Sequence, residues 1–164
     1  MFPAQYASSH PERLAVIMAT SGDTITYAEL EARSNRLAHL LRAQGLKRLD
    51  HYSVLMENHI KYFEACVAGE RSGLYCTCIN SYLKADEVAY ILQNSESQVL
   101  ITSPAKLEVA KAAMEHCPNL QLCLVVDSEG HEFDDGGPIA AYESAVAIYP
   151  TRPIDDEAIG TAML

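Results

Sequence analysis

Cys76 and Cys78 stand one residue apart within the apolar run Tyr75 to Ile79. On a strand, side chains alternate, so both thiols leave the same face. Thiols suit soft metals, but binding one needs further ligands, and none stands nearby in sequence. The other cysteines, Cys66, Cys117 and Cys123, show no CxxC or zinc-like spacing. A buried structural role is the expectation for the pair. A second cluster is His131 with Glu129, Glu132, Asp134 and Asp135. Oxygen donors of this kind suit a divalent cation. Their spacing fits no cation loop, and a solvated surface loop is the expectation instead. Asp127 follows the apolar run Leu122 to Val126. Ligands of open parallel sheets sit beyond the carboxyl ends of strands, which makes Asp127 a candidate. Starting a turn accounts for it as well.

Phosphate chemistry needs a glycine-rich loop whose N–H groups can approach an anion. The chain has neither GxGxxG after its first strand nor GxxxxGK[ST]. Gly69 and Gly73 are spaced GxxxG near a helix end, where packing and capping explain them. His10, His39, His51, His59 and His116 are scattered, and no Ser/His/Asp or Cys/His set assembles from spacing. These patterns name no catalytic, cofactor-binding or metal-ligating residue.

The elements that would position such groups are legible. Leu14–Met18 and Thr24–Thr26 flank the turn Ser21-Gly22-Asp23 and predict a small hairpin. Thr26 and Glu29 form a capping box, with Ile25 and Leu30 as a hydrophobic staple. Leu30, Leu37, Ala38 and Leu41 share one helical face, and Gly45 ends that helix. Strands are predicted at Tyr52–Met56, Tyr75–Ile79, Val99–Thr102 and Leu122–Val126. Helices are predicted from His59 to Ser72 with Asn58 as cap, from Lys84 to Gln93, from Ser103-Pro104 to about His116, and near Ile139–Val146. Strand–helix alternation repeated four times predicts an α/β fold: a mainly parallel, doubly wound sheet with flanking helices.

With 164 residues, one domain with a proper core can form. The net charge of −10 disfavours nucleic acid and anionic membrane as partners. Met1 to Tyr6 lacks the basic and apolar regions of a secretory signal, and no apolar run reaches the length of a membrane span. Five cysteines in apolar stretches read as reduced thiols of a cytoplasmic protein. The apolar ending Ile159 to Leu164 reads as the first half of a buried strand, so the fold is expected to continue past Leu164.

Thr26-Tyr27-Ala28-Glu29-Leu30, followed by Arg33-Ser34-Asn35-Arg36-Leu37-Ala38, resembles the first core motif of adenylate-forming enzymes, the AMP-forming acyl-CoA synthetases and their relatives. Met56-Glu57-Asn58, Tyr62-Phe63-Glu64-Ala65, Gly73 and Ile79-Asn80 continue the match, and Leu83, Glu87, Tyr90, Ile91 and Leu92 complete a second motif. Pro153-Ile154-Asp155-Asp156 is similar to the family's approach to its phosphate loop. Two positions depart from the pattern. Cys78 stands where the family usually has Pro, and Lys84 where Thr or Ser often caps a helix.

The resemblance implies the N-terminal portion of an ATP-dependent fatty-acid or other carboxylic acid–CoA ligase. Residues 1–153 would be its first α/β subdomain, and 154–164 the start of the strand leading to a phosphate loop. ATP, Mg and CoA are implied for the parent, as are the carboxylic acid and the remainder of the ligase chain as partners. No catalytic residue carries over. The fragment is expected to be inactive alone and to self-associate through exposed apolar surface. The alternative is a naturally short α/β binding or interaction module without catalysis. A receiver-type domain fits poorly, since the strand Tyr52–Met56 is followed only by Glu57.

Overall fold

The computed structural model describes residues 3–134 and 136–163. After a short helix α1 (Ala4–Ser9), β1 (Leu14–Ile17) and β2 (Thr24–Thr26) pair as an antiparallel hairpin. Then come α2 (Tyr27–Ala43), β3 (His51–Leu55), α3 (Lys61–Arg71), β4 (Tyr75–Ile79), α4 (Ala85–Asn94), β5 (Val99–Thr102), α5 (Leu107–Met114), β6 (Leu122–Val125), β7 (Ile139–Ala141), α6 (Tyr142–Ala147) and β8 (Thr161–Met163). The main sheet is parallel, with strand order β7-β6-β5-β3-β4-β8.

Alternation within the strands divides the core into two layers. On one face Tyr52, Val54, Cys76, Val99, Ile101 and Leu124 pack against Leu37, Leu40 and Leu41 of α2, Ala65 and Ala68 of α3, and Tyr142 and Val146 of α6. On the other, Leu55, Ile79, Leu100, Cys123 and Val125 meet Val88, Ala89 and Leu92 of α4 and Leu107, Ala110 and Ala113 of α5. β3 and β5 are covered on both sides, which is why they read as continuous apolar runs. Each fully buried leucine among these contributes about 1.5–3 kcal/mol.

The cap of α2 forms as read. Glu29 N–H donates to Thr26 Oγ1 at 3.2 Å, and Thr26 N–H donates to Glu29 Oε2 at 2.9 Å. Ile25 and Leu30 pack in one cluster as the staple. Gly45 and Gly73 have φ of +91° and +66°, the left-handed conformation that ends α2 and α3.

Three local readings are corrected. Asn58 does not cap α3, which starts at Lys61; the His59 ring takes the cap's place, its Nδ1 accepting from Lys61 N–H at 3.2 Å. Ser103 does not cap its helix either, because its hydroxyl donates to Glu57 Oε2 at 2.6 Å instead. Ile139–Ala141 is a strand, not helix: it satisfies the outer edge of β6, and the helix begins only at Tyr142. At Lys84 the ammonium offers no acceptor, and half a capping box survives, with Lys84 N–H donating to Glu87 Oε2 at 2.9 Å.

The segment after α6 is fastened to α2. Asn35 Nδ2 donates to the Thr151 carbonyl at 2.8 Å, and the His39 ring bonds the Arg152 carbonyl at 2.9 Å. Arg42 Nε reaches both Asp156 oxygens at 3.1 Å. Arg71, fully buried at the end of α3, pairs with Glu31 at 2.6 Å and with Glu157 at 3.4 Å. These contacts deliver the chain to β8, which lies parallel to β4 through Tyr75↔Thr161, Cys76↔Ala162 and Thr77↔Met163.

Candidate functional site

The chain turns in opposite directions from β3: β4 lies on one side of it and β5 on the other. Such a switch point opens a crevice at the strands' carboxyl ends. Between β3 and β5 that crevice is filled by the protein's own groups. Ser103 bonds Glu57, and Thr102 Oγ1 donates to the Leu55 carbonyl at 2.7 Å. The open space lies beside it. A cleft of about 530 Å³ separates the β1–β2 hairpin from the start of α3, lined by Met18, Ser21, Asn58, His59, Tyr62 and Phe63. Its walls are mostly apolar, with a few polar groups at the rim, as small-molecule sites commonly are.

His59, in that lining, is held in turn by Asp127. The residue sits past β6 with φ of +44°, so it does make the turn. Its N–H donates to Glu143 Oε1 at 3.0 Å, and its carboxylate meets Lys61 Nζ at 2.7 Å and His59 Nε2 at 3.0 Å. Lys61 also pairs with Glu143. Because His59 Nδ1 accepts a backbone hydrogen bond, Nε2 carries the proton that faces Asp127. Burial raises the Asp127 carboxyl, but hydrogen bonding and charge from Lys61, with His59, bring it below the usual carboxylate range. Burial lowers the Lys61 ammonium, yet Asp127 and Glu143 hold it above its ordinary value. Beneath this cluster Glu64 is buried, held by Arg33 Nη1 and Tyr142 Oη, each at 3.2 Å. Burial keeps its carboxyl above the ordinary value, against the pull of Arg33, Lys61 and Tyr142.

This arrangement locks the start of α3, the turn after β6 and the start of α6 together. It offers no nucleophile–base pair. It does not suit Mg²⁺ either, since the Lys61 ammonium already occupies both carboxylates that face it.

The remaining candidates separate. His131 stacks on Phe133 at 6.3 Å in the polar loop, while Glu132 and Asp134 line a shallow surface pocket; Asp135 lies outside the described residues. His10 bonds Ser9, His39 bonds a backbone carbonyl and His51 stacks on Tyr75, so the histidines do not converge. Gly69 is a packing residue: a Cβ there would run into the Tyr52 ring and hydroxyl, which bonds the Ala65 carbonyl at 2.7 Å. Cys76 and Cys78 do share a face, and α3 brings Cys66 to them. The three sulfurs lie within 4.8 Å of one another. Spacing alone missed this trio because its third member sits on a helix. The signal was present in the right-handed crossover, which places a helix preceding a strand against that strand's face.

A model of the AMP-binding enzyme family matches residues 4–159. The 3-oxocholest-4-en-26-oate–CoA ligase of Rhodococcus rhodochrous is 33% identical over 148 residues, covering 89% of this chain and 26% of that protein. The long-chain-fatty-acid–CoA ligase of Thermus thermophilus is 32% identical, covering 84% of this chain and 25% of that protein. Among solved structures, the anthranilate–CoA ligase AuaEII in complex with anthranoyl-AMP superposes with a TM-score of 0.81 at 16% identity, over 97% of this chain and 28% of that one. A Mycobacterium tuberculosis fatty acyl-CoA synthetase gives 0.78 at 22% identity, over 94% and 29%. The chain thus spans about a quarter of the length of the curated relatives it matches. The match over residues 4–159 makes this chain a member of the AMP-binding enzyme family, the adenylate-forming acyl-CoA ligases.

Proposed function

We propose that the chain is the N-terminal part of an ATP-dependent carboxylic acid–CoA ligase and supplies scaffold rather than catalytic groups. The observation that carries this reading is the family match over residues 4–159, set against strand ends that hold no phosphate-binding loop among the described residues. Residues 1–153 act as the first α/β subdomain, and 154–164 as the start of the strand that leads to the phosphate loop. The parent joins a carboxylate to the α-phosphate of Mg-ATP, releasing pyrophosphate. CoA thiolate then displaces AMP to give the thioester. Both steps need charge stabilisation around the reacting phosphate and carbonyl. Lys61 is already paired with Asp127 and Glu143 and is poorly disposed to give it. The relatives' names favour a fatty or sterol-derived acid. The chain's partners are the remainder of the same polypeptide, the acid, ATP and CoA, and its place is the cytoplasm. No helix among the described residues is long and apolar enough to cross a membrane.

ATP–pyrophosphate exchange across a panel of carboxylic acids tests the reading. A verified 164-residue species is expected to be silent. Clear exchange from it would overturn the scaffold assignment.

A further inference from the structure

We propose that Cys66, Cys76 and Cys78 form a tris-thiolate site for one thiophilic divalent metal ion, of the zinc–cadmium type. The site does not depend on the ligase reading. Cys76 and Cys78 leave the same face of β4, and Cys66 descends on them from α3. Their sulfurs already lie within 4.8 Å of one another. Tetrahedral thiolates about 2.3 Å from zinc stand about 3.8 Å apart, so closure asks for a contraction of at most about 1 Å. Among the described residues this is one group of three metal-type ligands held so closely.

A disulfide uses the trio poorly. Cys76 and Cys78 are two residues apart on one strand, which sets their Cα atoms about 6.6 Å apart, near the outer limit for a bridge. A bridge from Cys66 to either would leave the third sulfur over. All five cysteines are thiols.

The Tyr62 hydroxyl hydrogen-bonds the Cys78 sulfur. The Tyr62 hydroxyl acts as an outer partner to a ligating sulfur. Access is open as well. Cys66 and Cys78 are only partly buried, and a groove of about 290 Å³ between α3 and β8 is lined by Cys66, Cys76 and Gly160. Water from that groove can complete a fourth position. Three thiolates around a divalent ion leave one net negative charge, and around a monovalent ion two, so the half-buried setting selects the divalent ion. Binding is ligand exchange without redox. The ion loses water, and each thiol still protonated gives its proton to buffer.

The test is a Cd(II) titration of the reduced, metal-free chain, followed by thiolate-to-cadmium ultraviolet absorption. Saturation at one ion per chain is expected, with Zn(II) displacing Cd(II). Native alkylation with mass spectrometry is expected to show Cys66 and Cys78 protected once Cd(II) is bound. Cys78→Ser should weaken binding at least ~tenfold, while Cys117→Ser, on the opposite face of the sheet, should leave it unchanged. Absence of saturable binding by the folded chain, or equal alkylation with and without Cd(II), would overturn the proposal. The alkylation arm uses the unmutated chain, so it holds even if a variant fails to fold.

Discussion

Individual side chains are mostly spent on joining elements. Thr26 and Glu29 close the start of α2, and hydrogen bonding from the Thr26 backbone holds the Glu29 carboxyl below its ordinary value, burial opposing and Arg33 assisting. A lowered folded-state value means the stabilisation is present above the unfolded value and is lost as pH falls through the folded one. Thr26→Ala should therefore cost about 1 kcal/mol in urea unfolding near neutral pH. Glu29→Gln should flatten the loss of stability on acidification below about pH 4.5. An acid slope identical to the unmutated chain would show that the pair is not formed. This pair was legible in the sequence because a capping box is local. Asp127 was legible only as an ambiguity between site and turn. The structure makes it the turn and adds Lys61, His59 and Glu143, partners that come from distant positions and leave no local signature.

Among the elements, β3 and β5 were readable because burial on both faces keeps them largely apolar. The boundaries that failed share a cause. Asn58, Ser103 and Ile139 were judged by local propensity, and each answers to a tertiary partner: the His59 ring, the Glu57 carboxylate and the edge of β6. The segment before β8 shows the same dependence, since four α2 and α3 side chains fix it and none is adjacent in sequence. Gly160 is its tightest point. Its N–H donates to the Glu70 carbonyl at 2.7 Å, and a Cβ there would press on the Leu74 and Gly69 carbonyls. Gly160→Ala should cost about 1–3 kcal/mol and detach β8 from β4. Hydrogen exchange reads this at Thr161, whose N–H donates to the Leu74 carbonyl at 3.1 Å. Protection at Thr161 equal to that of the unmutated chain would contradict the role given to Gly160.

At the scale of the whole molecule, the doubly wound sheet is asymmetric in its finish. β7 closes one edge beside the polar loop, while β8 at the other edge is exposed, and Ile159 and Met163 stand 79% and 37% accessible. An exposed parallel edge with apolar side chains is a pairing surface. Sedimentation velocity is expected to show the isolated chain associating as its concentration rises; a concentration-independent monomer would count against this. The family could be read from the order of several motifs, each of them mostly structural by itself. The chemistry could not, since the charged groups at the strand ends pair with one another. On the proposed function, this chain positions a ligase site without performing its reaction. ATP–pyrophosphate exchange measures it most directly, comparing the 164-residue chain with a polypeptide in which the same chain is continued through a family phosphate loop and C-terminal domain. Exchange is expected from the longer polypeptide with a fatty or sterol-derived acid, and none from the chain alone. Exchange by the chain alone, or none from the folded longer polypeptide with any acid, would contradict the account.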